Sequence, residues 1–248
     1  MRISRIYIPT AINEKDNSEI VLDGSTSNYL INVLRLQIGN SLILFDGKIK
    51  GEFNAEIIAL ANKKVVVKIS KFISQNKESP LLIHLAQGIS RGEKMDYTIQ
   101  KAVELGVNSI TPLFTEYCNV KLLGDRLDNR LAHWQKIAIS ACEQSGRCIV
   151  PKILPAEHIN HWLQSSMPRG ECIFLDHRAK QSFKDKTQNK SFNEYTLIIG
   201  PEGGLSEEER QKLKQHNFNG VKLGPRVLRT ETAALVAISV IQNLYGDI

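Results

Sequence analysis

Two glycine-bearing turns near the C-terminus hold the residue types best suited to chemistry. The first is Thr196-Leu197-Ile198-Ile199-Gly200-Pro201-Glu202-Gly203-Gly204-Leu205-Ser206-Glu207-Glu208-Glu209, an apolar strand that turns through three glycines into a helix. Ser206 and Glu209 have the Ser-x-x-Glu spacing of a capping box, which marks where that helix starts. In open α/β sheets ligands sit beyond the carboxyl ends of the strands, and glycine lets a ligand approach bare backbone. Gly200 to Gly204 is therefore where a nucleotide-like cofactor is expected. The spacing fits neither G-x-G-x-x-G nor a P-loop, and three glutamates open the helix where a phosphate would dock. A phosphate-poor cofactor fits better. The plainer reading of the same residues is a tight strand-to-helix turn and nothing more.

The second turn is Val221-Lys222-Leu223-Gly224-Pro225-Arg226-Val227-Leu228-Arg229-Thr230-Glu231-Thr232-Ala233-Ala234, again a strand, a Gly-Pro turn and a helix, with Thr230 or a neighbour as the expected cap. It places two arginines, Arg226 and Arg229, between the elements. The helix from Ala233 to Ile241 is apolar on nearly all faces and rich in small residues, which suggests burial in a core or at a subunit interface.

Other candidate sites are weaker. Gly88-Ile89-Ser90-Arg91-Gly92 fits the Gly-x-Ser-x-Gly elbow of serine hydrolases, with Asp176-His177 further on. The Asp and His are adjacent at one strand end, however, which points their side chains apart, and no His-Gly-Gly oxyanion segment is present. His158 and His161 are spaced i, i+3 without a matching third ligand, so no metal site is expected. Cys118, Cys142, Cys148 and Cys172 show no Cys-x-x-Cys spacing, and free thiols are expected.

The elements that would position these turns alternate in the C-terminal two thirds. Strand Leu81 to Ala86 leads to a helix from about Glu93 to Leu105 stopped by Gly106, then strand Ser109 to Phe114 and a helix from Leu127 to Ser145. A Trp162-containing helix, strand Cys172 to Leu175, a polar loop from Arg178 to Glu194 and strand Thr196 to Ile199 follow. Such alternation implies a parallel α/β sheet. Before it, residues 1–73 read as strands (Ile3 to Ile8, Ser41 to Phe45, Phe53 to Leu60, Lys64 to Ile69) with a turn at Asp46-Gly47, a small barrel. One short helix, capped by Ser25 or Ser27, runs through Tyr29 to Arg35. The polar stretch 74–80, closed by Pro80, is the expected linker, leaving 81–248 as the second domain.

Composition excludes whole classes. An apolar content of 42% over 248 residues is that of a folded protein with real cores, not of a disordered or fibrous chain. No apolar run approaches the ~20 residues that span a bilayer, and Met1-Arg2-Ile3-Ser4-Arg5 leads into a strand rather than a signal-peptide core. A cytoplasmic protein without a membrane partner is expected. A formal charge of +6 favours anionic partners such as nucleic acid.

Gly200-Pro201-Glu202-Gly203-Gly204 followed by Leu223-Gly224-Pro225-Arg226-Val227-Leu228-Arg229-Thr230-Glu231-Thr232-Ala233 resembles the bacterial 16S ribosomal RNA uridine-N3 methyltransferases of the SPOUT superfamily. Tyr29 to Arg35, Lys94-Met95-Asp96 to Glu104-Leu105-Gly106-Val107, and Cys142-Glu143-Gln144-Ser145-Gly146-Arg147 agree with the same family, so the resemblance spans nearly the whole chain.

That resemblance implies a SPOUT-type parallel sheet with a C-terminal trefoil knot, preceded by a PUA-like barrel that binds RNA. It also implies a homodimer that acts on 16S rRNA in the small ribosomal subunit. Spacing and composition do not encode the knot, which is rare among folds. The implied cofactor is S-adenosylmethionine, held by Leu175, by Ile199, Gly200, Pro201, Glu202 and Gly203, and by Leu223, Gly224, Leu228, Thr230, Glu231, Thr232 and Ala233. N3 of uracil is a weak nucleophile until its proton leaves, and the resulting charge spreads onto two ring carbonyl oxygens. Arg229 is the candidate that stabilises this charge, and as an arginine it cannot be the base. Glu202 and Glu231 are open alternatives as base or as partners of the cofactor's ammonium or ribose. Arg226, Arg91, Lys94 and Arg147, extended by Arg2, Arg5 and Arg35, are candidates for phosphate contacts.

Overall fold

The computed structural model describes residues 3–12, 19–61, 63–166, 168–183, 185 and 192–248. Arg2 and, in the polar loop, residues 184 and 186–191 lie outside them. The chain divides after Glu78 into two compact units, and Cys142–Val150 groups with the first rather than with the second, where the linear reading put it.

The first unit holds a five-stranded sheet in the order β1 (Ser4–Tyr7), β3 (Ser41–Phe45), β4 (Gly51–Ala61), β5 (Lys64–Ser74), β2 (Glu19–Val21). The first pair is parallel and the rest antiparallel. Period-two alternation sends Phe53, Ala55 and Ile57 of β4 and Val65, Val67 and Ile69 of β5 into one apolar core with Leu42, Leu44 and Leu30. Register shifts at Asn54/Ala55 and Ile57/Ala59 bend the central pair. The helix at Gly24–Asn28, α1, is capped by Asp23, whose carboxylate accepts from the backbone N–H groups of Ser25 and Thr26. Ser25 and Ser27 do not fill the expected capping role: Ser27 is buried, donates to Leu22 O and accepts from Val65 N, which ties the helix to β5.

Residues 142–150 join this unit through buried polar bonds. Glu78 takes Arg147 Nε at 2.9 Å and Nη2 at 2.6 Å on one oxygen, and the backbone N–H groups of Cys148 and Ile149 on the other. Arg5 donates to Glu52 and to the carbonyls of Cys142 and Arg147, and lies over the Phe45 ring. Both arginines were expected to face phosphates. Arg147 is instead buried to 3% exposure, and the Arg5 side chain to 11%, because each satisfies a carboxylate that would otherwise be an unpaired buried charge.

The second unit is the α/β part. Its sheet runs β12 (Asn219–Val221), β10 (Glu171–Leu175), β11 (Glu194–Ile199), β6 (Leu82–Gly88), β7 (Ser109–Phe114), β8 (Lys152–Ile153), with β9 (Glu157–His158) also against β7. All pairs are parallel. The continuous burial of Tyr195 through Ile199 is what a parallel strand covered on both faces requires. Helices α2 (Glu93–Glu104), α3 (Asp125–Ser145), α4 (Ile159–Ser165), α5 (Glu207–Gln215) and α6 (Thr230–Tyr245) follow their strands. In α2, Met95, Ile99, Ala102 and Val103 recur at helical spacing and are buried. Ser206 caps α5 and Glu209 closes the capping box. Among the described residues no helix is long and apolar enough to cross a membrane, and no group of His, Cys, Asp and Glu suits a metal. All four cysteines are free thiols.

Candidate active site

Three neighbouring parallel strands, β12, β10 and β11, end at one edge of the sheet, and the loops that leave them enclose a cleft of about 550 Å³. From the β10 end come Leu175, Asp176 and His177. The β11 turn supplies Ile199, Gly200, Pro201, Glu202, Gly203 and Gly204. The β12 turn supplies Val221, Lys222, Leu223, Gly224, Arg226, Val227, Leu228, Arg229 and Thr230, joined by Ala233 from α6 and Lys94 from α2. A ligand at strand carboxyl ends is the rule for such sheets.

The glycines are needed for geometry. A Cβ on Gly200 would lie 2.8 Å from the Gly204 carbonyl carbon, one on Gly203 would lie 2.6 Å from Tyr117 Cβ, and Gly204 has φ +73°. The turn therefore folds back on itself and presents backbone, with Leu175, Ile199, Leu223 and Leu228 as apolar walls.

The structure brings Arg229 to the lining together with most of the expected cofactor residues. Glu231 and Thr232 are not on the lining. They follow Thr230 in the first turn of α6, and at about 100° per residue they rotate away while Thr230 and Ala233, three apart, share the cleft side. One carboxylate oxygen of Glu231 is buried without a hydrogen-bond partner among the described residues. Thr230 does not cap α6: Arg229 occupies that position without a side-chain cap, and the Thr230 hydroxyl donates to Gly200 O at 2.6 Å.

Glu202 accepts from Lys94 Nζ at 3.0 Å and from Arg91 N at 3.2 Å. Burial pushes its carboxyl up, but its own backbone N–H, the Lys94 ammonium and the Arg91 N–H outweigh this and hold it below the usual carboxylate value. Glu202 is therefore ionised and paired with Lys94, and both side chains line the cleft. Lys94 is half-buried in this pair, while Arg91, Arg226 and, in the first unit, Arg35 are exposed. Ser90 is buried and donates to Gly88 O, and Asp176 faces Arg210 at 3.6 Å, so the hydrolase elbow assembles no triad. Asp176, His177, Lys222 and Val227 were missed by the sequence reading. The strand-end rule that located Gly200 applies equally to β10 and β12 and would have found them.

Residues 77–242 match the model of an RNA methyltransferase domain, and residues 22–70 that of an RNA methyltransferase PUA domain. The ribosomal RNA small subunit methyltransferase E of Buchnera aphidicola subsp. Schizaphis graminum is 40% identical over 100% of this chain and 98% of its own length. The protein of that name from Bacillus subtilis is 31% identical over 91% of this chain and 92% of its own. A Legionella pneumophila protein solved with bound SAM superposes with a TM-score of 0.92 at 39% identity, covering 100% of both chains. The ribosomal RNA small subunit methyltransferase E of Neisseria gonorrhoeae, bound to S-adenosyl methionine, gives 0.89 at 36% identity, again over 100% of both chains. The chain belongs to the ribosomal RNA small subunit methyltransferase E family.

Proposed function

We propose that this protein transfers a methyl group from S-adenosylmethionine to N3 of a uridine in the 16S RNA of the small ribosomal subunit. Family membership supports RNA methyl transfer, and the observation that carries the reading is the cleft at three strand ends with Arg229 on its wall. The lining fits the cofactor. Glycine backbone that tolerates no Cβ and the apolar side chains of Leu175, Ile199, Leu223 and Leu228 suit a flat adenine and its backbone-facing edge. Glu207, Glu208 and Glu209 in the first turn of α5 disfavour a phosphate there.

When bound, the cofactor supplies an electrophilic methyl on a sulfonium. The chain's own part is to hold a deprotonated uracil in line and to stabilise its charge. Arg229 is the cation on the cleft wall whose guanidinium meets the developing negative charge on the ring oxygens. Lys94 pairs with Glu202, and Arg226 stands in the same turn as Arg229, exposed and suited to a phosphate. The first unit serves as the RNA-binding barrel, with Arg35 exposed on its surface.

The finer architecture we propose is a trefoil knot and a homodimer, acting in the cytoplasm. The knot is supported by the path of residues 222–230, which start beyond β12 and reach Gly200 at the end of β11, on the far side of β10. The dimer is supported by the outer face of α6, where Leu235, Val236 and Val240 are only partly covered and Leu244 is 50% exposed.

The test is the product. Small subunits incubated with the protein and S-adenosylmethionine, digested to nucleosides, should yield 3-methyluridine; a 2'-O-methylated nucleoside instead, or no methylated nucleoside, would contradict the proposal.

A further inference from the structure

We propose that Gln87 is a positioning residue for methyl transfer: through the Thr230 hydroxyl it locks the cofactor loop to the turn that carries Arg229. The proposal rests on reading the cleft as the S-adenosylmethionine site.

Gln87 lies near the end of β6, is fully buried, and is not on the cleft wall. Its Nε2 donates to Thr230 Oγ1 at 3.0 Å and to Gly88 O at 3.0 Å. The opposite amide orientation would set Oε1 against the Gly88 carbonyl, acceptor to acceptor, so the chemistry fixes which end is nitrogen. Oε1 itself has no partner among the described residues, and the two donor bonds alone hold the amide. A hydroxyl has one proton. Since Thr230 Oγ1 accepts from Gln87, its proton is directed to Gly200 O at 2.6 Å.

The relay therefore has one polarity, from the Gln87 amide through the Thr230 hydroxyl to the Gly200 carbonyl, and it joins three elements: β6, the first turn of α6 and the β11 turn. Its anchor is rigid, because a Cβ on Gly88 would lie 2.5 Å from Pro201 N, so the end of β6 and the Gly200-Pro201 peptide are already in contact. At the other end Arg229 takes no side-chain cap bond, which leaves Thr230 as the residue that fixes where α6 begins and hence where Arg229 stands. A buried chain of this kind, fully directional and desolvated, holds its members in register.

Gln87→Met keeps length and removes both donors, so the Thr230 hydroxyl loses the bond that aims its proton at the Gly200 carbonyl. Thr230→Val keeps shape and removes the hydroxyl. In cofactor-free protein, either change should speed amide exchange in residues 203–205 and 228–233 by about tenfold or more, with the rest of the sheet unaffected. Affinity for S-adenosylmethionine should fall by about tenfold and kcat by a similar factor, while KM for the RNA stays level. The double variant should be no worse than either single one, because both break the same chain. Thr230→Ser should recover most of what Thr230→Val loses.

Unchanged exchange at 203–205 and 228–233, additive losses in the double variant, or an equal rise in exchange across the whole sheet would each overturn the proposal. The exchange measurement needs no ligand. If the relay behaves as described and the unaltered protein does not bind S-adenosylmethionine, the cofactor reading fails and the relay stands.

Discussion

Replacing Arg229 with alanine is expected to leave S-adenosylmethionine affinity nearly unchanged and to slow methyl transfer by about 10²–10³-fold, the loss typical of removing one preorganised donor from a transition state. The expectation follows from position. Arg229 lines the cleft, is exposed, and contributes no side-chain bond to the start of α6, so its removal leaves the fold with little to lose. The cofactor's apolar walls and glycine backbone come from other residues. Arg229→Lys should fall between, since lysine keeps the charge and loses the planar fork that can meet a ring oxygen with two donors. Single-turnover transfer to small subunits, with cofactor binding measured separately, checks this. A normal rate in the alanine variant would remove Arg229 from the chemistry, and lost cofactor binding would reassign it to the pocket.

The largest stability effect is expected in the first unit, at Arg147. Its pairing with Glu78 is buried on both sides, 4% and 7% exposed, and an unpaired buried charge left by truncation typically costs about 3–5 kcal/mol. Arg147→Met should lower the unfolding free energy by that amount, seen as a lower denaturant midpoint at an unchanged slope, whereas the double change Glu78→Gln with Arg147→Met should cost less than the sum of the two. A glutamine oxygen can keep the bonds that Glu78 Oε1 accepts from the N–H groups of Cys148 and Ile149, so the remaining cost is that of the lost Arg147 bonds. Were Arg147 a phosphate contact, the variant would keep its midpoint and lose about one unit from the salt dependence of RNA binding. Stability lost at constant salt slope is the outcome that the buried pair predicts.

Arg147 also shows where sequence reading stops. The α/β half was legible because its signals are local: the apolar run 196–199, the glycines after it and the Ser206-x-x-Glu209 box each declare their own conformation within a few residues. The pairing of Arg147 with Glu78 spans 69 positions, and that of Arg5 with Glu52 spans 47, so no periodicity announces them. Both arginines look like surface charge in the sequence, and only the fold reveals the carboxylates they satisfy. The grouping of 142–150 with the first unit was hidden for the same reason. Within the candidate site, the turn residues were found by their glycines, whereas Asp176, His177 and Lys222 carry no such mark and are placed by strand order alone. Glu231 and Thr232 were drawn in by a contiguous motif, though a helix presents only some of its consecutive residues to one side. Asp23 outcompetes the two serines as cap because it directly precedes the first turn of α1, where its carboxylate reaches two free N–H groups.

Calorimetric titration of the purified protein with S-adenosylmethionine shows whether the cleft at the ends of β10, β11 and β12 holds that cofactor. One site per chain, lost when Gly203 is replaced by valine and retained when Arg229 is replaced by alanine, is the predicted result. No heat of binding at millimolar cofactor, or binding indifferent to Gly203, would contradict it.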